Sequence, residues 1–111
     1  MNRKTLGAAA LAFAALLPAL AFSQDNSQAV TKAYNDANNR MMNGMMGMNM
    51  SGDADKDFVA MMIPHHQGAI DMAKVELEYG KDPKLRAMAE AIVKAQEKEI
   101  AEMKAWQQAH P

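Results

Sequence analysis

The stretch YGKDPKL, residues 79–85, places the strongest constraint on the fold of this 111-residue chain. Gly80 is a residue type that ends helices, Asp82 can cap the next helix, and Pro83 suits a first helical position. A link this short requires the two helices that it joins to run antiparallel. The sequence therefore predicts an all-α fold in which the second and third helices form an antiparallel hairpin.

Apolar residues recur at intervals of three and four on both sides of this turn, which is the period of an amphipathic helix. The pattern predicts one helix over residues 55–79 and another over residues 83–109. Asp55 and Asp57 suit the N-terminal end of the first of these helices, where the helix dipole is positive. Pro64 lies inside that helix and predicts either a kink or a later start.

Residues 1–23 have the pattern of a secretory signal peptide. A basic start at Arg3 and Lys4 precedes an apolar run, and the run ends in small residues that permit cleavage after Ala21 or Ser23. We expect the protein to be exported to the periplasm and to carry no membrane span after cleavage.

The remaining chain divides into three parts. Residues 24–42 have helical periodicity and predict an N-terminal helix, and residues 55–110 contain the predicted hairpin. Residues 43–54 contain three glycines beside asparagine and serine, and they predict a flexible linker. Because a two-helix hairpin buries little apolar surface, the N-terminal helix or a second copy of the chain should complete the core.

Composition excludes several classes of function. Without Arg3 and Lys4 the chain has ten basic against thirteen acidic residues, a charge of about −3 that disfavours nucleic acid as a partner. The chain has no cysteine, and therefore no disulfide, no thiolate metal ligand and no lipidated cysteine. We find no activated nucleophile, catalytic acid pair or phosphate-binding loop, so we expect no enzymatic activity.

The stretch MMNGMMGMNM, residues 41–50, contains half of the twelve methionines of the chain. A glycine-broken segment cannot bury them all, and exposed methionine is open to oxidation outside the cell. Soft thioethers bind soft cations, which predicts Cu(I) as the ligand with Ag(I) as a surrogate. The alternative is an adaptable surface that contacts partner proteins without a metal. The candidate ligands are Met41, Met42, Met45, Met46, Met48 and Met50.

A second candidate site lies in MMIPHHQGAIDMA, residues 61–73. Helical geometry places Met62, His65 and Met72 on one face, and Met62 also lies one turn before His66. Imidazole and thioether together suit copper better than most other ions. These four side chains are therefore candidate metal ligands.

The apolar stripe of the predicted third helix contains polar residues, with Gln96 inside it and Glu99 at its edge. Either residue can orient a histidine ring behind a metal. The alternative, which we prefer, is an interhelical hydrogen bond for Gln96 and a solvated acid at Glu99. Met88 and Met103, taken singly, are attributed to core packing.

These motifs resemble the DUF305 family of ferritin-like helical proteins, which includes periplasmic copper-binding proteins of the CopM type. The resemblance covers roughly residues 55–107 and rests on two patterns, M-x-x-H-H-x-x-A-x-x-M-A from Met62 and Q-x-x-E-I-x-x-M from Gln96 to Met103. It implies a four-helix bundle, binding of Cu(I) or Ag(I) through methionine and histidine, and a part in copper resistance. Met103 is therefore kept among the candidate ligands.

The chain departs from this resemblance in two respects. Larger relatives carry the His-His unit twice, whereas this chain has it once, so we expect a homodimer to complete a four-helix core. The Glu-x-x-His motifs of ferritin-like di-iron enzymes are missing, so the resemblance transfers the fold and not oxidase chemistry.

The expected function is to sequester Cu(I) or transfer it to a copper donor or acceptor protein, contributing to copper homeostasis. Two alternatives stay open. A haem-binding electron-transfer bundle would use methionine and histidine as axial ligands, but the chain has few large aromatic residues for a haem pocket. A methionine-rich interaction module would bind peptides without any metal.

Overall fold

The computed structural model describes residues 19–111, with side chains from residue 26 onward. It confirms the all-α fold, with α1 at Ala19–Met46, α2 at Ala54–Tyr79 and α3 at Pro83–Ala109. The predicted signal peptide, residues 1–23, lies largely outside the described residues. Within the described residues, no helix has the length and apolar character needed to cross a membrane.

α2 is the central helix and runs antiparallel to both neighbours. Arg40 of α1 donates from Nε to the Asp71 carboxylate at 3.3 Å, whereas Gly44, further along α1, lies against the earlier α2 residue Pro64. The hairpin turn fixes the opposite direction of α3. Between residues 19 and 111, α1 and α3 both pack on α2 and not on each other. The three helices therefore form an open layer.

The predicted turn between α2 and α3 is confirmed. Gly80 caps the end of α2, Asp82 caps α3 through its side chain, and Pro83 is the first residue of α3. Arg86 has a role that the sequence patterns did not indicate, because its Nη1 donates to the carbonyl oxygens of Leu77 at 2.8 Å and Gly80 at 3.0 Å. These two bonds tie the start of α3 to carbonyl groups that the end of α2 leaves without helical partners.

The structure extends α1 beyond its predicted end and decides between the two predicted effects of Pro64. α1 continues to Met46, so residues 43–46, predicted as part of the flexible linker, are helical. A Cβ added to Gly44 would lie 3.1 Å from the Cβ of Pro64, so this glycine permits close helix packing where a flexible link was predicted. Of the two effects that Pro64 predicted, a kink or a later start of α2, the later start is wrong, because the helix begins at Ala54, one residue before the predicted start at residue 55, and continues through Pro64.

Asp57, in the first turn of α2, binds the connection formed by residues 47–53. Its carboxylate accepts hydrogen bonds from the Ser51 N–H at 2.8 Å, the Ser51 hydroxyl at 2.7 Å and the Gly52 N–H at 3.0 Å. The backbone hydrogen bond from Ser51, followed by that from its hydroxyl, lowers the pKa of the Asp57 carboxyl below its usual value. The second half of the predicted linker is thus fastened to α2.

Asp57→Asn is expected to lower the unfolding temperature at neutral pH and to have no effect in strong acid. The carboxyl pKa is depressed in the folded protein. Its stabilising contribution is therefore fully present above the unfolded-chain pKa, near 4, and is lost as the pH falls through the folded-state pKa. Thermal unfolding followed by circular dichroism at neutral pH and below about pH 3 measures the difference from wild type.

Asp55→Asn is the matched control, because Asp55 lies in the same first turn of α2. The structure records no hydrogen bond from the connection to Asp55 within residues 19–111. An equal loss of stability in both variants would assign the effect to the helix dipole and contradict the proposed role of the Ser51 contacts.

The core of the layer is small. Ile70 is its largest fully buried side chain, at 2% exposure. The large apolar side chains of Phe58 and Leu85 are 60% and 49% exposed because no further helix covers them within the described part of the chain. The predicted homodimer could supply such a helix, and dimerisation stays a prediction. The other buried apolar side chains are Ala37, Val59, Ala73, Val75, Ala89 and Ile100.

Candidate metal site

A cavity of about 750 Å³ opens between the first half of α2 and the second half of α3. The helices are antiparallel. Positions three and four residues apart along α2 therefore lie opposite positions with the same spacing along α3, counted in the reverse direction. Thioether, imidazole, carboxylate and aromatic side chains therefore meet at one place. The lining residues are Asp55, Phe58, Val59, Met62, His66, Glu99, Glu102, Met103 and Trp106.

His66 is the most buried polar residue of the cavity, at 9% exposure. Its Nε2 lies 2.5 Å from Oε2 of Glu99, and its Nδ1 is buried without a hydrogen-bond partner in the described residues. A neutral imidazole that donates from Nε2 carries its lone pair on Nδ1. The ring thus has one nitrogen fixed by a carboxylate and one nitrogen able to act as a ligand.

Glu99 departs only in part from the preferred interpretation as a solvated acid. Its side chain is 52% exposed, but its carboxylate also contacts the ring of His66, as a carboxylate that orients a histidine does. Gln96 also differs from the preferred interpretation, because its Oε1 is buried and makes no hydrogen bond within residues 19–111. A buried amide oxygen without a partner is costly, so this atom is a second unsatisfied polar group in the interior.

Met62 of α2 and Met103 of α3 both line the cavity and are half-buried. Together with His66 they bring two thioethers and one imidazole to the same cavity, a donor set that suits Cu(I) or Ag(I). Within the described residues, no three histidine, aspartate or glutamate side chains are grouped so that they could hold a metal ion. A metal in this cavity would therefore depend on the thioethers.

The structure separates two of the predicted helix ligands from this cavity. His65 is exposed and is not part of the lining, although its ring centroid is only 6.3 Å from that of His66. Met72 instead lines a mostly apolar groove of about 310 Å³ that all three helices border. Met88, attributed to core packing, borders the same groove and is 52% exposed. Met62 thus shares its site with His66, one turn away, and not with His65.

None of the six methionines of residues 41–50 lines the cavity. Met41 and Met45 are half-buried on α1, whereas Met42 and Met46 lie four residues apart on its exposed side. In the connection, Met48 is half-buried and Met50 is exposed. The thioethers that remain open to solvent are those of Met42, Met46 and Met50.

Six cavity residues were not among the predicted ligands, namely Asp55, Phe58, Val59, Glu99, Glu102 and Trp106. Their spacing carried a usable signal, because Phe58 lies one turn before Met62 and Trp106 lies one turn after Met103. Helical periodicity alone would have placed them beside the candidate thioethers.

Two comparisons with known proteins bear on the chain. The family described as "Domain of unknown function (DUF305)" matches residues 14–107. The chain is also similar to uncharacterized protein L153 of Acanthamoeba polyphaga mimivirus, with 43% identity over 49 residues, which are 44% of this chain and 32% of the viral protein. The similarity thus spans about a third of the length of that relative. The family match covers all three helices.

Proposed function

The chain belongs to the DUF305 family, and from its own residues we propose that it is an exported copper-binding protein of the kind that the sequence patterns resemble. It takes up Cu(I), or Ag(I) in its place, through methionine and histidine side chains. It then retains the ion or passes it to another protein, as a binding protein and not an enzyme. Its contribution is to copper resistance or homeostasis.

One observation carries this proposal: the antiparallel packing of α2 and α3 brings Met62, His66 and Met103 to the lining of one cavity. Burial of an imidazole nitrogen without a hydrogen-bond partner is unfavourable, and a metal bound to that nitrogen would relieve the cost. Two thioethers beside it favour a soft monovalent ion over a hard divalent one. The acidic residues of the lining add attraction for a cation.

The exposed methionines of residues 41–50 are proposed to capture the ion before it reaches the cavity. Met42 and Met46 can act as a pair because residues four apart on a helix are neighbours. Thioethers exposed to solvent bind and release a metal ion readily, whereas the half-buried donors of the cavity retain the ion. A partner that gives or receives copper would meet the protein at this exposed side of α1.

We also propose that the protein acts in the periplasm as a homodimer. The apolar groove bordered by Tyr34, Met72 and Met88 has no cover within the described residues. A second open layer placed on it would give the closed core that a ferritin-like bundle has. Sedimentation of the purified chain without its signal peptide at several concentrations tests this state.

Met62→Leu/Met103→Leu is expected to weaken Cu(I) binding at least tenfold, or by about 1.4 kcal/mol or more. Leucine keeps the volume and apolar character of methionine and removes only the sulfur. Titration of the purified protein with Cu(I) against a chromogenic competing chelator measures the affinity. His66→Ala is expected to weaken binding in the same assay, because it removes the nitrogen ligand.

Met61→Leu/Met88→Leu is the matched control, since these methionines lie on the same two helices outside the cavity. His65→Ala is the matched control for His66→Ala, because His65 does not line the cavity. Met42→Leu/Met46→Leu should lower the number of ions bound and leave the tightest site unchanged. If the wild type fails to compete for Cu(I), or if the control pair weakens binding as much as the cavity pair, the proposed site is wrong.

The haem alternative predicts a Soret band in the purified protein. The charge of the cavity disfavours haem binding. Three acidic side chains and no lysine or arginine line the cavity, and they would repel the two negatively charged haem propionates. The peptide-binding alternative predicts binding that a copper chelator leaves unchanged.

A further inference from the structure

Trp106 lies on the wall of the cavity that holds Met62, His66 and Met103. It follows Met103 by one helical turn on α3, so the indole and that thioether project from the same face of the helix. It is the single tryptophan of the chain. An aromatic ring beside a set of soft ligands is a second kind of contact for a cation.

The C-terminal end of α3 fixes this indole. His110 stacks on Trp106 with ring centroids 4.2 Å apart and an angle of 14° between the ring planes. Nδ1 of His110 also lies 2.8 Å from the Trp106 carbonyl oxygen, where it donates a hydrogen bond. Because His110 covers one face of the indole, the opposite face is the one that the cavity can use.

The charges of the cavity favour a cation at that face. Asp55, Glu99 and Glu102 line the same space, and no lysine or arginine is among the lining residues. Tryptophan is the side chain with the strongest attraction for cations over its ring, and the attraction rises when the cation is shielded from water. The thioethers would hold a soft cation close to the ring without adding negative charge.

We propose that Trp106 is an affinity-determining part of the soft-metal site, with its open indole face in contact with the Cu(I) or Ag(I) ion bound by Met62, His66 and Met103. The inference rests on the proposed copper function and adds an aromatic contact to it. It involves binding only, with no electron or group transferred. Stacking by His110 keeps the indole in place for this contact.

The first test is the fluorescence of Trp106 during titration of the full chain with Ag(I) in buffer free of chloride and thiols. Ag(I) serves as the probe because it does not change oxidation state under these conditions. A heavy cation in contact with the indole quenches its emission, so the fluorescence should fall in step with occupancy of the cavity. Met62→Leu/Met103→Leu should abolish the quenching, and Met42→Leu/Met46→Leu should preserve it.

The second test measures affinity by chelator competition in two variants of the tryptophan. Trp106→Leu is expected to bind Ag(I) about fivefold to thirtyfold more weakly, whereas Trp106→Phe keeps an aromatic face and should lose less. Circular dichroism of both variants should show the helicity of the wild type, which confirms that they are folded. The wild-type fluorescence experiment does not depend on whether a variant folds.

The outcomes separate this inference from the proposed function. If the wild type binds Ag(I) through Met62 and Met103 without quenching, and Trp106→Leu binds as tightly, the aromatic contact is overturned and the metal site stands. If the wild type does not compete for Ag(I) or Cu(I), the proposed function is overturned and this inference with it. Quenching that persists in Met62→Leu/Met103→Leu also overturns the inference, since the ion then lies elsewhere.

Discussion

Ile70→Ala is expected to destabilise the protein by about 2–5 kcal/mol, a large part of the stability of a small domain. Ile70 is the largest fully buried side chain, and the rest of the buried apolar core consists of Ile100, two valines and three alanines. Neighbours of this size have little reach into the space that a truncated side chain leaves. The cavity would therefore stay largely unfilled, and its cost adds to the lost transfer free energy.

Urea denaturation followed by circular dichroism measures this effect, and Leu85→Ala is the control of similar size. Leu85 is about half exposed, so a single unpaired layer should lose less than about 1 kcal/mol on its truncation. A loss at Leu85 as large as that at Ile70, combined with an unfolding midpoint that rises with protein concentration, would show that a second chain covers Leu85. A small loss at Ile70 would contradict the position of the core.

The turn and the helix starts could be predicted because short-range chemistry determines them. The Asp82 carboxylate accepts the N–H of the residue three positions on, and Pro83 needs no hydrogen bond at the first helical position. These preferences hold whatever packs around them. The predicted α3 has the bounds that the structure gives, Pro83–Ala109.

The end of α1 could not be predicted in this way, because it depends on a tertiary contact. Gly44 in isolation is a helix breaker. Against Pro64 it is the residue that lets two backbones approach, and packing on α2 compensates for its low helix propensity. The sequence alone does not contain the distance between these helices.

Which of His65 and His66 lies beside Met62 also depends on a tertiary contact and could not be predicted from the sequence. Both lie within a turn of Met62, and a helical wheel permits either to share a metal with it. The packing of α3 on α2 determines which histidine shares a cavity with Met62, and the covered side of α2 contains Met62 and His66. Glu99 of α3 contacts the ring of His66. The two residues are 33 positions apart, so the sequence around either one does not predict this contact.

Gly68→Ala is expected to destabilise the protein by about 1–3 kcal/mol, although alanine is the better helix former by about 1 kcal/mol. A Cβ at this position would lie 2.5 Å from Sδ, 2.7 Å from Cγ and 2.9 Å from Cβ of Met41. Rotation of the thioether could relieve the first two contacts but not the third, which is tied to the α1 backbone. The added methyl group therefore pushes α1 away from α2.

A double-mutant cycle with Met41→Gly tests this explanation by urea denaturation. Removing the whole Met41 side chain, Cβ included, should make Gly68→Ala less harmful, with a coupling energy of about 0.5–3 kcal/mol, because the two side chains compete for the same space. Gly47→Ala is the control, since its added Cβ would meet nothing closer than 3.4 Å. Additive effects of the two substitutions would contradict the close approach of α1 and α2 at Gly68.

The same variant separates helix docking from metal binding. Every residue that lines the proposed metal cavity belongs to α2 or α3, whereas Met41 and the exposed methionines beside it belong to α1. Gly68→Ala should therefore leave the Cu(I) affinity of the cavity unchanged under conditions in which the protein remains folded. A loss of affinity in this variant would mean that α1 takes part in the site, and that the six methionines of residues 41–50 and the cavity ligands act on the same ion.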